Sequence, residues 1–77
     1  MKELLTYIAR NLVDHADAVS VTELAGEGET ILELRVAPDD MGKVIGRQGR
    51  IAKEIRILMR SAAQRQGTKV SVEIVDQ

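Results

Sequence analysis

The sequence predicts an α+β fold of order helix–strand–strand–helix–helix–strand, with a three-stranded sheet carrying its helices on one face. Three observations carry this. Apolar residues recur at helical spacing near the amino terminus and again after residue 50. Two later stretches alternate apolar and polar residues with a period of two. Glycines and the one proline fall between these segments. A chain of 77 residues has room for one such domain.

Taken in order, Leu4, Leu5, Ile8, Leu12 and Val13 predict an amphipathic helix over residues 2–14. The turn-forming run Asp14, His15, Ala16, Asp17 ends it. Strands are expected over 18–24 and 30–37. In the second, Leu32, Leu34 and Val36 point one way while Glu33 and Arg35 point the other. The intervening GEGE suits a short hairpin, with Gly26 and Gly28 able to take positive φ. Pro38 then stops the strand, and Asp39 and Asp40 stand where an N-cap and first turn would be, so Met41 to Ile45 should be a short helix ending at Gly46. A long helix follows over about 50–66, with Ile51, Ile55, Leu58 and Ala62 as its apolar stripe, Met59 alongside, and Lys53, Arg56 and Arg60 opposite. Gly67 terminates it, and Val70, Val72 and Ile74 mark a last strand over 69–75.

Composition narrows the function classes. No cysteine is present, so disulfides and thiolate metal sites are excluded. No apolar run approaches the length of a membrane span, and MKELLTYIARN is too polar for a signal peptide, which makes the cytoplasm the expected location. The net charge of −1 conceals a division. Residues 1–40 hold three cations against nine acids, a net of −6, whereas residues 41–77 hold eight against three, a net of +5. Between Lys43 and Lys69 the only acid is Glu54. A focused positive region on an acidic chain attracts a polyanion locally without promiscuous binding.

Within that region lies VIGRQGR, residues 44–50. Two glycines inside helix would cost about 1 kcal/mol each, so Gly46 and Gly49 point to a loop that needs bare backbone. The loop opens the second helix, whose first N–H groups lack internal partners. Arg47 supplies charge for a phosphate, Gln48 a further donor, and Arg50 and Lys53 lie within the next turn. Val44, Ile45 and Ile51 could floor a narrow groove. This is a phosphate-clamping arrangement for a few unstacked nucleotides.

On these residues the chain resembles a known family. VIGRQGRIAKEIR is similar to the GXXG region of KH domains, and the element order resembles the bacterial type II version. Over essentially its whole length the chain resembles the KhpA-type small KH-domain RNA-binding proteins. A bare GXXG is a weak signal. In this element order, after Val-Ile and before an apolar-basic helix, it is a strong one. The resemblance implies single-stranded RNA as ligand and a non-enzymatic RNA chaperone or post-transcriptional regulator as the role. It places the clamp on Gly46, Arg47, Gln48 and Gly49, with Arg50 and Lys53 assisting. Ile45, Ile51 and Ala52 would line the base groove, and Leu34 to Val36 would form its opposite wall. Ala52 departs from the larger aliphatic residue common at its position. The resemblance further implies self-association, or pairing with a larger KH protein of the KhpB or Jag type.

Tyr7 is the only aromatic residue, which disfavours stacking-type RNA readers and predicts weak binding by one clamp. Ile57 should stand alone on the outer face of the long helix. Other classes fare worse. His15 between Asp14 and Asp17 lacks the converging ligands of a metal site and any nucleophile to serve, and no cofactor motif is present. Asp39 and Asp40 are explained as helix-capping residues. Neither G-x-x-x-x-G-K-[ST] nor G-x-G-x-x-G occurs. The chief competitor is a KH fold used as a protein-interaction adapter, against which the cation at Arg47 counts.

Overall fold

A computed structural model of the chain describes residues 1–75. Its order is α1 (Lys2–Leu12), β1 (Ser20–Gly26), β2 (Glu29–Arg35), α2 (Met41–Ile45), α3 (Arg50–Arg65) and β3 (Val70–Ile74), with single 3₁₀ turns at Ala16–Ala18, Pro38–Asp40 and Arg47–Gly49. This is the expected α-β-β-α-α-β order. The sheet is mixed: β1 pairs antiparallel with the central β2, and β2 pairs parallel with β3.

Strand alternation decides which face the helices cover. Val21, Leu34 and Ile74 share one row across the sheet, and Leu32 and Val72 the next. These rows meet Leu5 and Ala9 of α1, Val44 of α2 and Ile55 and Met59 of α3 in one core. The other face carries Glu33 and Arg35, paired at 3.4 Å. Val36 lies beyond the end of β2 but remains fully buried.

Three expectations need correction. The first helix ends at Leu12 rather than 14, because Val13 turns to extended backbone (φ −103°, ψ 163°). The N–H groups of Asp14 and His15 then donate to the distant Asp40 carboxylate, not to the preceding turn. The first two strands are displaced, to 20–26 and 29–35, since Ala16–Ala18 form a 3₁₀ turn and the hairpin closes over two residues, Glu27 and Gly28. Gly28 takes φ +69°, whereas Gly26 is paired in the ladder with Glu29. The long helix is also rotated: its buried residues are Ala52, Ile55, Met59 and Ala63, and Leu58 is 50% exposed. The small Ala52 and Ala63 on the buried face let the α3 backbone sit close to the sheet.

Among the described residues, no helix is long and apolar enough to cross a membrane.

Candidate nucleic-acid interface

The short α2 and the turn after it are held from the N-terminal side. Asp40 is completely buried. Its carboxylate accepts the Asp14 N–H (3.2 Å), the His15 N–H (2.9 Å) and the Lys43 ammonium (3.4 Å), and its Oδ2 lies 3.0 Å from His15 Nδ1. Burial alone would raise this carboxyl. The His15 and Asp14 N–H groups, with the His15 ring and Lys43, outweigh burial and hold it at about 2. Lys43 also donates to Asp14 at 2.8 Å, and chiefly through that bond its own pKa is raised. Asp40 therefore fastens the segment after α1 to the start of α2. It does not cap its own helix through its side chain, as the sequence suggested. His15 belongs to the same cluster, where the sequence marks only a turn. Nothing local signals this contact, because the partners are 25 and 26 residues apart.

At the other end of α2, Gly46 takes φ +75° and its N–H donates to the Gly42 carbonyl at 2.8 Å, closing the helix. A Cβ on Gly46 would lie 2.6 Å from Ile51 Cγ1 and 2.9 Å from both Ile51 Cβ and Cδ1. Ile51 thus packs directly onto the bare backbone. The chain then passes through Gln48 (φ 58°, ψ 24°) and Gly49 (φ 74°, ψ 15°), two successive left-handed residues, and enters α3. In contrast to Gly46, a Cβ on Gly49 would meet nothing within 4 Å.

The turn presents several groups to solvent. Gly49 N–H bonds back to the Gly46 carbonyl, but the N–H groups of Arg47 and Gln48 find no acceptor among the described residues. Arg50 donates to Gln48 Oε1 at 3.1 Å, which leaves the NH₂ of that amide facing outward. Arg47, Arg50 and Lys53 are exposed, and none is in an ion pair with a described residue. Of the apolar residues expected beside the loop, Ile45 is 37% exposed, Ile51 is half-buried and Ala52 is only 4% exposed. Ala52 lies beneath this surface and contributes almost no area to it.

The expected opposite wall is corrected as well. Leu34 and Val36 are completely buried, so their side chains cannot line a groove. Beside the turn runs instead the basic flank of α3, with Lys53, Arg56 and Arg60 at helical spacing. It borders β3, an edge strand. Thr30 N–H donates to the Lys69 carbonyl and Val75 N–H to the Leu34 carbonyl, so odd-numbered residues of β3 face β2. The backbone groups of Val70, Val72 and Ile74 therefore point to the outer edge, where Arg56 Nε reaches the Val72 carbonyl at 3.2 Å. Arg56 and this edge gave no usable sequence signal, since their proximity depends on how α3 lies on the sheet. The opposite flank of α3 is of another kind. Ile51 and Leu58, with Arg50 and Glu54 at the rim, face Ile8 and Leu12 of α1 across a groove of about 390 Å³.

Comparison with known proteins places this geometry in context. The family model described as KhpA/KhpB, KH domain, matches residues 2–74. The chain belongs to the KhpA/KhpB KH-domain family. Among its relatives, the RNA-binding protein KhpA of Clostridium acetobutylicum is 57% identical over 75 residues, covering 97% of this chain and all of that one. The protein of the same name from Treponema pallidum is 51% identical, covering 97% and 94%. That of Chlamydia trachomatis is 48% identical, covering 100% and 99%. A crystal structure of Era from Aquifex aeolicus superposes with a TM-score of 0.66 at 20% identity, covering 95% of this chain and 28% of that one, a likeness of fold. In this KhpA/KhpB-family chain the GXXG stretch is Gly46–Gly49, the segment between the anchored α2 and the basic flank of α3.

Proposed function

We propose that the chain binds single-stranded RNA through the Gly46–Gly49 turn and acts without catalysis, as an RNA chaperone or post-transcriptional regulator in the cytoplasm. The observation that carries this reading is the turn itself. Two N–H groups without an acceptor, an outward amide and three cations outside any ion pair, among the described residues, converge beside Gly49, where an added Cβ would meet no residue but its chain neighbours within 4 Å. A phosphodiester backbone is the ligand such donors fit. The naming of the relatives as RNA-binding proteins supports it.

In this reading Gly46 and Gly49 shape the clamp. Arg47 and Gln48 hold phosphate, Arg50 and Lys53 assist, and Ile45 and Ile51 meet the bases, with Ala52 below them. A single clamp of about four nucleotides gives modest affinity, with a salt slope of roughly −1 to −3. Useful occupancy then comes from a second copy, or from a larger partner of the KhpB or Jag type that supplies a further clamp.

The test is fluorescence anisotropy with short unstructured RNAs at two salt concentrations. Wild type is compared with the double variant Arg47→Asp/Gln48→Asp, shown by circular dichroism to be folded. Wild type should bind and the variant should not. Equal binding by both would remove the turn from the site. No binding by either, with or without a KH partner, would favour the adapter role.

A further inference from the structure

The acidic half of the chain plays no part in the turn. From Asn11 to Leu34 there are six acids and no lysine or arginine. Asp14 is answered by Lys43 and Glu33 by Arg35, whereas Asp17, Glu23, Glu27 and Glu29 are in no ion pair with a described residue. Three of these four stand on the β1–β2 hairpin: Glu23 in β1, Glu27 in the connection and Glu29 in β2. Leu24, on the same hairpin, is 41% exposed.

β1 is also an open edge of the sheet. Thr30 and Leu34 bond to the β3 side, so the odd-numbered residues of β2 face β1. Ser20, Thr22, Leu24 and Gly26 answer them in the antiparallel register, and the backbone groups of Val21, Glu23 and Ala25 point outward. Among the described residues their N–H groups have no acceptor. Every residue from Thr22 to Gly26 is exposed. Natural edges are blunted by lysine, proline or a bulge. β1 holds neither lysine nor proline, and its seven pairs with β2 run without a bulge. The β3 edge is different, since Arg56 reaches across it to the Val72 carbonyl.

We infer that β1 takes an extended, lysine- or arginine-bearing segment of a partner protein as a fourth strand. Backbone pairing through Val21, Glu23 and Ala25 supplies the contact, and the hairpin acids select for charge. Alternation sets the sequence of that segment. Glu23 shares a face with Leu32, and Leu24 shares the other face with Ile31. The residue opposite Glu23 is therefore a cation and its neighbour opposite Leu24 is apolar, so the fitting strand alternates the two. The same acids turn away other occupants. RNA is repelled, and a second copy of this edge would set acid against acid. The partner sits on the edge away from the basic flank of α3, which leaves the Gly46–Gly49 turn open at the same time.

The probe is a fluorescent peptide alternating lysine and valine over seven residues, the length of β1, titrated by anisotropy at two salt concentrations. Wild type should bind it, more weakly at the higher salt. Ala25→Pro removes an N–H that bonds nothing within the chain, so the fold is kept while strand pairing is blocked. Its affinity for the peptide should fall about tenfold. Glu23→Gln/Glu29→Gln should weaken binding about fivefold and flatten its salt dependence. A peptide alternating glutamate and valine should not bind. The lysine–valine peptide N-methylated on its lysine amides keeps the charge but cannot pair, and should not bind wild type, an arm that holds whether or not Ala25→Pro folds. Parent-like affinity with the N-methylated peptide, or in folded Ala25→Pro, would mean attraction of cations without a strand site and would overturn the inference. Equal binding of the glutamate peptide overturns it too, as does no binding of any peptide by wild type. In that last case, a dimer in sedimentation that Ala25→Pro dissociates would give the edge to a second copy. None of these outcomes bears on RNA binding at the turn, which its own variant tests.

Discussion

The two ends of α2 are built on opposite principles. At the Asp40 end a fully buried carboxylate meets two backbone N–H groups, a ring nitrogen and an ammonium, and no buried side-chain polar atom among the described residues lacks a partner. Past Gly46, backbone donors and cations are left open to solvent over Arg47 to Lys53. The first arrangement supplies rigidity and the second supplies contacts for a ligand, and the second depends on the first. Unsatisfied donors hold a useful geometry only when the backbone carrying them is fixed elsewhere. The two glycines divide along the same boundary. Gly46 is bare because Ile51 fills the space a side chain would need, whereas Gly49 is bare with nothing above it.

Gly46→Ala should therefore have the largest effect on stability. The new methyl would take φ +75° and meet Ile51 at 2.6 Å. Left-handed strain of about 1–2 kcal/mol and overpacking of about 1–3 kcal/mol add to roughly 2–5 kcal/mol. That is a large share of the stability of a small domain. Urea unfolding measures it, and a loss under about 1 kcal/mol would show that Ile51 moves aside easily. Combining Gly46→Ala with Ile51→Ala should recover part of the loss, since the two residues share one space.

Substitution at Asp40 should come next, and its effect should depend on pH. The carboxyl is lowered from 3.8 to about 2, so its stabilisation is fully present above pH 3.8 and is lost as pH falls toward about 2. Near pH 6, Asp40→Asn should lower the melting temperature by roughly 5–10 °C. The gap from wild type should close as both proteins are taken down toward pH 2. The two proteins differ only at this carboxyl, so the comparison isolates Asp40. A gap that stays constant with pH would mean that the buried charge is not what fastens α2.

Much of this contrast was legible in the sequence. Pro38 and Gly46 bracket α2 where expected, the period of two in Leu32, Leu34 and Val36 put these residues in the core, and the GRQG loop was singled out by its glycines and cations. The losses have physical causes. The rotation of α3 differs from the expectation because two overlapping stripes of that helix are apolar, and packing buries the one with the smaller residues, Ala52 and Ala63. The resemblance gives Leu34 to Val36 to a groove wall, whereas the alternation of β2 places Leu34 and Val36 together on the face that the helices cover. Asp40 reads as a cap of its nearest helix, since a capping aspartate and one reaching across 26 residues look the same in sequence. In sequence both glycines look like openings for a phosphate, though Gly46 answers to Ile51 inside the chain.

Gly49→Ala sharpens that last distinction and should have the smallest effect on folding. Its φ of +74° puts the new methyl in the left-handed region, at about 1–2 kcal/mol, with nothing within 4 Å to add a clash. On stability alone it is the milder of the two glycine substitutions. On RNA the expectation is reversed: the methyl stands where a phosphate would approach the Arg47 and Gln48 N–H groups, so binding should fall far more than folding does. Urea unfolding and anisotropy on the same preparations compare the two effects directly. Wild-type affinity in Gly49→Ala would mean that this glycine serves only to turn the chain into α3. Loss of binding with the fold intact would mean that the space above Gly49 is where the ligand lies.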